Sequence, residues 1–263
     1  MAGEERILDW EGALNARDTG GLPTHDAGHI RHGALVRSDV ISRLTQSGRA
    51  ALVAHGVRTI VDVRTSEEIG RDVDYPFRGT AGTADPKYVN VSFVTPLTDE
   101  EEARVRERRE NATQLAKLNK MDVEVHRTGI GAVIAAVAEA QPGGVLIHCY
   151  AGKDRTGMTV ALLLAVAGAS DDDIADDYAL TMLNLGPLID DWLSTMDETE
   201  HARMRELATP RREAMLETLA YVRERYGSIE AYLNAAGVSD DQIARLRLRL
   251  VERPAMSGEG LDG

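Results

Sequence analysis

The chain has 263 residues, with 43 acidic and 30 basic side chains and a formal net charge of −13 at pH 7. Such an excess of acid repels nucleic-acid backbones and anionic bilayers, which argues against a general nucleic-acid binder but leaves room for one local phosphate site. A hydrophobic fraction of 43% with 28% charged residues suits a globular domain long enough to bury a large core.

Cys149 is the single cysteine, so neither an intramolecular disulfide nor a Cys-based zinc cluster can form. The opening Met1-Ala2-Gly3-Glu4-Glu5-Arg6 has no signal-peptide pattern, and the longest apolar stretch, residues 160–169, is about half of a membrane span. A soluble protein without integral membrane association is the expectation, cytoplasmic or exported without a cleavable signal.

The first third reads as short extended segments between glycine-rich turns at residues 15–21 and 24–33, with a short strand at 34–37. Residues 42–55 suit a helix closed by Gly56, and the β-branched run VRTIVDV at 57–63 suits a buried strand. Residues 88–94 alternate apolar and polar side chains, the period of a half-buried strand. From 98 to 127 the chain becomes densely charged, which reads either as a solvated helix or as a helical cover over a neighbouring site. An alanine-rich helix at 131–140, a buried strand at 145–148, a polar loop at 149–155 and an apolar helix at 156–169 follow. Strand, loop and helix in this order make the α/β arrangement in which ligands sit at the carboxyl end of a strand. Residues 170–253 read as helices, with caps at Ser170/Asp173, Thr209-Pro210 and Ser239/Gln242. No repeat or linker interrupts the chain, so residues 1–263 are read as one domain.

The loop Cys149-Tyr150-Ala151-Gly152-Lys153-Asp154-Arg155 sets a cysteine and an arginine five residues apart. A loop entering a helix can gather its backbone N–H groups around one anion, helped by the helix dipole. Arg155 adds a planar fork for two phosphate oxygens, and the same positive field favours the Cys149 thiolate. A nucleotide-binding Walker loop is rejected, because its required first glycine is replaced by Ile147 and its Ser/Thr after the lysine by Asp154. Dianion binding above a nucleophilic sulfur points to phosphoryl transfer.

Residues 148–157, HCYAGKDRTG, resemble the HCx5R signature of cysteine-dependent phosphatases, and the Lys153-Asp154 version resembles atypical bacterial tyrosine phosphatases of the mycobacterial protein tyrosine phosphatase B class. The resemblance extends to NARDTGG at 15–21, Val36-Arg37-Ser38, DVRTSEE at 62–68 and Tyr226-Gly227-Ser228-Ile229 near the end. It implies a cysteine-phosphatase-like α/β fold, a central mostly parallel sheet flanked by helices, with the charged stretch 98–127 in the place of a helical lid. It also implies phosphotyrosine-containing proteins or peptides as substrates, with phosphoserine, phosphothreonine and phosphoinositides as further ones, and no cofactor.

Under that resemblance Cys149 attacks phosphorus and forms a phosphocysteine. Arg155 and the backbone of Tyr150, Ala151, Gly152, Lys153 and Arg155 hold the phosphate oxygens, and the Thr156 hydroxyl helps the departing thiolate. Asp154 is the implied acid/base, with Asp99 as the competing carboxylate, and Lys153 supplies a second positive charge. His148 is expected to order the loop, and Arg17, Asp18, Arg37, Asp62 and Arg64 are candidates for a buried polar network behind it. His25, His29 and His32 lack partners at ligand spacing, so no metal site is predicted. The rival readings are a phosphate-binding pseudophosphatase and cysteine-based arsenate or sulfur chemistry.

Overall fold

The computed structural model describes residues 3–72, 75–78 and 85–253. Met1 and Ala2 of the opening segment, and residues 254–263 of the single-domain reading, lie outside them. In chain order come β1 (Arg17–Asp18), β2 (His29–Ile30), β3 (Leu35–Ser38), α1 (Gln46–Ala54), β4 (Val57–Asp62), α2 (Ser66–Gly70), β5 (Lys87–Asn90), α3 (Asp99–Glu110), α4 (Leu115–Val125) and α5 (Arg127–Ala138). Then follow β6 (Gly144–His148), α6 (Asp154–Ala167), α7 (Asp171–Ala179), α8 (Thr181–Ser194), α9 (Glu198–Ala208), α10 (Arg212–Tyr226), α11 (Ile229–Ala235), α12 (Asp240–Leu250) and β7 (Val251–Glu252).

The main sheet runs β1-β3-β6-β4-β5, parallel throughout except for β1, which pairs antiparallel with β3. β6 is central and wholly buried, because both faces of the sheet are covered. Its side chains alternate accordingly. Val145 and Ile147 join the large core formed with α4, α5, α6, α7, α10, α11 and α12, while Leu146 points to the smaller core around Trp10, Leu44 and Leu52. This is the mixed α/β fold that the resemblance implies. A minor ribbon, β2 with β7, fastens the last helix to the N-terminal segment. Among the described residues no helix is long and apolar enough to cross a membrane.

Several boundaries differ from the sequence expectation for local reasons. The strand read at 88–94 pairs only over Lys87–Asn90, because the Asn90 amide then donates to the Asp62 and Arg64 carbonyls and turns the chain. The helix read at 131–140 begins earlier, at Arg127, and the one read at 156–169 begins at Asp154. Thr209-Pro210 does not open a helix. Thr209 closes α9, its hydroxyl bonded to the Arg205 carbonyl, and α10 starts at Arg212. Ser170 and Ser239 cap α7 and α12 as expected.

The charged stretch 98–127 is two unlike helices and the start of a third. α3 buries none of its residues and is held by a Thr98/Glu101 capping box and acids in its first turn. α4 buries Leu115, Ala116, Asn119, Asp122 and Val123. Arg203 of α9 fastens the turn between them, donating to the Ala112 and Arg109 carbonyls.

Candidate active site

β6 ends at His148, Cys149 opens a loop at the carboxyl edge of the sheet, and the loop enters α6 at Asp154. Gly152 makes the turn possible. Its φ is +68°, and a Cβ there would lie 2.4 Å from the Ser38 carbonyl oxygen, so the position accepts only glycine. The Gly152 N–H donates to Cys149 Sγ at 3.3 Å, and Cys149 is only 3% exposed.

The carbonyls of this loop are tied outward. Val40 N–H donates to the Tyr150 carbonyl (2.9 Å), Asn15 Nδ2 to those of Ala151 (3.1 Å) and Gly152 (3.2 Å), and Arg37 Nη2 to that of Gly152 (2.8 Å). His148 Nδ1 contacts the Cys149 carbonyl (2.9 Å) and Nε2 the Tyr75 hydroxyl (2.5 Å). Burial lowers the His148 pKa, so the imidazole is neutral, with Nδ1–H donating and Nε2 accepting. A trans peptide directs each N–H opposite the preceding carbonyl, so fixing these carbonyls outward turns the following N–H groups toward the space above the sulfur.

Behind the loop, one carboxylate organises three guanidinium groups. Asp177 accepts from Arg6 Nη1 (2.9 Å), Arg17 Nε (3.2 Å) and Arg37 Nη1 (2.8 Å), and all four side chains are buried. Burial alone would raise the Asp177 pKa, but Arg17, Arg37 and Arg6 outweigh it and hold the group well below the usual carboxylate range. Burial, with the charge of Arg37, brings Arg17 down to about 9. Arg17 also donates to Asn15 Oδ1 (2.7 Å), so the same cluster aims the Asn15 amide at the loop.

The expected network of Arg17, Asp18, Arg37, Asp62 and Arg64 is therefore three separate clusters. Arg17 and Arg37 serve the loop. Asp62 binds Arg64 (2.8 Å), which also reaches Asp72 (2.9 Å), beside His148. Asp18 instead accepts the Gly20 and Gly33 N–H groups and contacts His55, shaping the N-terminal turns.

Arg155 is gripped by Glu68 in a bidentate pair, Nη1 to Oε2 at 2.6 Å and Nη2 to Oε1 at 2.7 Å. Glu68 is itself fixed as the reciprocal partner of Thr65 in the capping box of α2. The Arg155 hydrogen bonds bring the Glu68 pKa down to about 2. Its contribution to stability is thus fully present above the ordinary glutamate range and is lost as pH falls toward 2. Asp154 accepts from the Tyr178 hydroxyl at 3.3 Å and has Lys153 Nζ at 3.4 Å. Lys153 Nζ also donates to the Ala208 carbonyl at 2.8 Å, tying the loop to the end of α9. Thr156 Oγ1 is buried and has no hydrogen-bond partner among the described residues.

Cavities open on either side of the loop. An apolar groove of about 570 Å³ is lined by Leu14, Tyr150, Leu188 and Trp192, with Arg43 and Lys153 at its edge. These four apolar side chains are exposed, Tyr150 by 57%. On the other side a chamber of about 330 Å³ has Glu68, Arg109, Asn119, Asp122, His126, Asp154 and Arg155 among apolar walls from Phe93, Leu115, Leu118 and Leu207. Asp99 lies outside both, exposed in the first turn of α3. His25, His29 and His32 are not brought together as a site: His25 bonds the Gly168 carbonyl, His29 pairs with Glu252, and His32 packs on Gly20. Sequence reasoning missed Tyr75, Asp122 and Asp177, and gave Asn15 and Glu68, both within quoted motifs, no role of their own.

A buried thiol at a strand end, with the Gly152 N–H on its sulfur and an anchored arginine at the start of the following helix, makes a candidate anion site. The chain belongs to the tyrosine phosphatase family, whose model matches residues 8–252, and it is a protein-tyrosine phosphatase. It is similar to the triple specificity protein phosphatase PtpB of Mycobacterium tuberculosis, at 29% identity over 92% of this chain and 98% of that protein. It is also similar to a tyrosine-protein phosphatase of Nostoc commune, at 30% identity over 87% of this chain and 78% of the relative.

Proposed function

We propose that the enzyme hydrolyses phosphotyrosine in proteins or peptides, without a metal, through a phosphocysteine intermediate on Cys149. The carrying observation is the Gly152 N–H on the buried Cys149 sulfur, within a loop whose carbonyls are held outward. In this mechanism Cys149 Sγ attacks phosphorus as the bond to the tyrosyl oxygen breaks. The N–H groups of Tyr150 to Arg155 meet the equatorial oxygens as charge shifts among them. Arg155 has five N–H donors, of which Glu68 takes two, so the rest of the fork is free for phosphate.

Asp154 protonates the leaving oxygen and then takes a proton from the water that attacks the phosphocysteine, which frees the thiolate. Its position in the chamber beside Arg155 supports that role, and the exposed place of Asp99 argues against the alternative. The unpartnered Thr156 hydroxyl is available to the departing sulfur. The groove beside Tyr150 offers apolar surface to the rest of the substrate. Phosphoserine, phosphothreonine and phosphoinositide substrates are proposed as well, on the cationic Lys153 at the groove edge and on the triple specificity in the mycobacterial relative's name. α4 and Arg109 at the end of α3 wall the chamber, so within 98–127 these parts are proposed to cover the site. A reducing, cytoplasmic setting suits chemistry that depends on a free thiol.

The test is hydrolysis of p-nitrophenyl phosphate, a phosphotyrosine peptide and a soluble phosphoinositide in EDTA, with wild type and Cys149→Ser side by side. Turnover should survive EDTA and fall by at least about a thousandfold in the variant. Turnover that needs metal, or that persists without the thiol, contradicts the mechanism.

A further inference from the structure

One hydroxyl reaches Asp154 from outside the loop. Tyr178, on α7 and only 1% exposed, donates to Asp154 Oδ1 at 3.3 Å. It follows Asp177 directly, so consecutive residues of α7 hold the arginines behind the loop and the carboxylate at the loop's end. The Tyr178 ring lies against Gly157, where a Cβ would fall 2.7 Å from two ring carbons. The last glycine of the 148–157 segment thus makes room for this tyrosine in the first turn of α6. The Asn119 amide nitrogen of α4, in a side chain 1% exposed, faces the same hydroxyl without a well-formed hydrogen bond among the described residues. An amide N–H only donates, so the hydroxyl proton is left to point at Asp154. The other oxygen, Asp154 Oδ2, lies 3.4 Å from Lys153 Nζ, which itself donates to the Ala208 and Leu207 carbonyls.

We propose that Tyr178 is the positioning residue of the acid: by donating to Asp154 Oδ1 it leaves Oδ2 as the oxygen that carries the catalytic proton. This deepens the phosphatase reading and rests on Asp154 as its acid/base. The proton balance closes. Oδ2 gives its proton to the leaving oxygen as the P–O bond breaks, and takes one from the water whose oxygen bonds phosphorus as the S–P bond breaks. The phenolic proton stays on Tyr178 throughout, because burial holds that hydroxyl well above its ordinary range.

A hydrogen bond donated to a carboxylate favours its ionised form, so losing one moves the alkaline limb of an acid-catalysed rate to higher pH. The other charged groups around the chamber have partners of their own. Asp122 of α4 pairs with Arg109 of α3, and Glu68 of α2 with Arg155. His126 is neutral near pH 7, since burial, with Arg109 and Arg155, brings it down to about 4. Lys153 stays tied to the end of α9. None of these contacts involves the Tyr178 hydroxyl, so a moved limb in a variant lacking only that group reports on the group itself.

The experiment compares wild type, Tyr178→Phe, Asp154→Asn and the double variant on aryl and alkyl phosphates, as kcat/KM against pH. Phenylalanine keeps the ring on Gly157, and thermal melts check that the fold is retained. In Tyr178→Phe the alkaline limb should rise by about half to one pH unit. At the optimum, kcat/KM should fall about tenfold for alkyl phosphates and least for p-nitrophenyl phosphate, whose leaving group needs little protonation. In the Asp154→Asn background the same change should cost nothing further, since Tyr178 acts through that carboxylate. Equal loss across all leaving groups, an unmoved limb, or a full additional loss in the double variant overturns the proposal. Cys149→Ser, run alongside, separates the claims: turnover surviving there contradicts the cysteine mechanism, whereas cysteine-dependent turnover with an unmoved limb contradicts only the role of Tyr178.

Discussion

Arg155→Lys is expected to lower kcat by about 10³–10⁴-fold with an unchanged far-ultraviolet circular dichroism spectrum. The side chain has two tasks that only a planar fork performs together. Two N–H groups hold Glu68 at 2.6 and 2.7 Å, and in the proposed mechanism the rest meet phosphate oxygens as charge redistributes on them. Lysine keeps the charge but presents a compact ammonium, which satisfies one partner at the expense of the other. The loss should therefore fall on kcat more than on KM, because the fork matters most in the transition state. Steady-state kinetics on a phosphotyrosine peptide decides it, and a loss below about tenfold contradicts the assigned role.

The largest effect on stability is expected at Asp177, behind the loop. Asp177→Ala leaves Arg6, Arg17 and Arg37 buried without their shared counter-ion. Breaking a buried ion pair on one side costs about 3–5 kcal/mol, which for a chain of this size lowers the melting temperature by about 6–20 °C. Activity should fall too, since Arg37 holds the Gly152 carbonyl and Arg17 orients Asn15. A variant that melts within about 2 °C of wild type would show that the three arginines do not depend on this carboxylate.

The parts of the fold with a strong periodic or capping signal were legible in the sequence. The buried run at 57–63 is β4, the residues before Cys149 are β6, and Ser170 and Ser239 cap their helices. The loop at 149–155 stood out because its residue types have little other use together, and the structure places it between β6 and α6. Asp177 could not, since it sits in the acidic run DDDIADD, where a buried carboxylate looks like its solvated neighbours. Asp122 was hidden for a related reason: it stands in the charged stretch 98–127, yet is buried on α4 beside Leu115, Ala116 and Val123. Thr209-Pro210 misled because its hydroxyl bonds backward to Arg205, a choice local sequence does not reveal. Glu68 was visible within DVRTSEE, but its grip on Arg155 joins residues 87 positions apart.

The most direct measurement is a rapid acid quench of the enzyme turning over a phosphotyrosine peptide, followed by mass spectrometry of the peptide that contains Cys149. Asp154→Asn, which slows breakdown of the intermediate, should accumulate it. The mechanism predicts one phosphoryl group on Cys149 sulfur, absent in Cys149→Ser. Turnover with no covalent phosphorus at Cys149 in either the wild type or Asp154→Asn would contradict it.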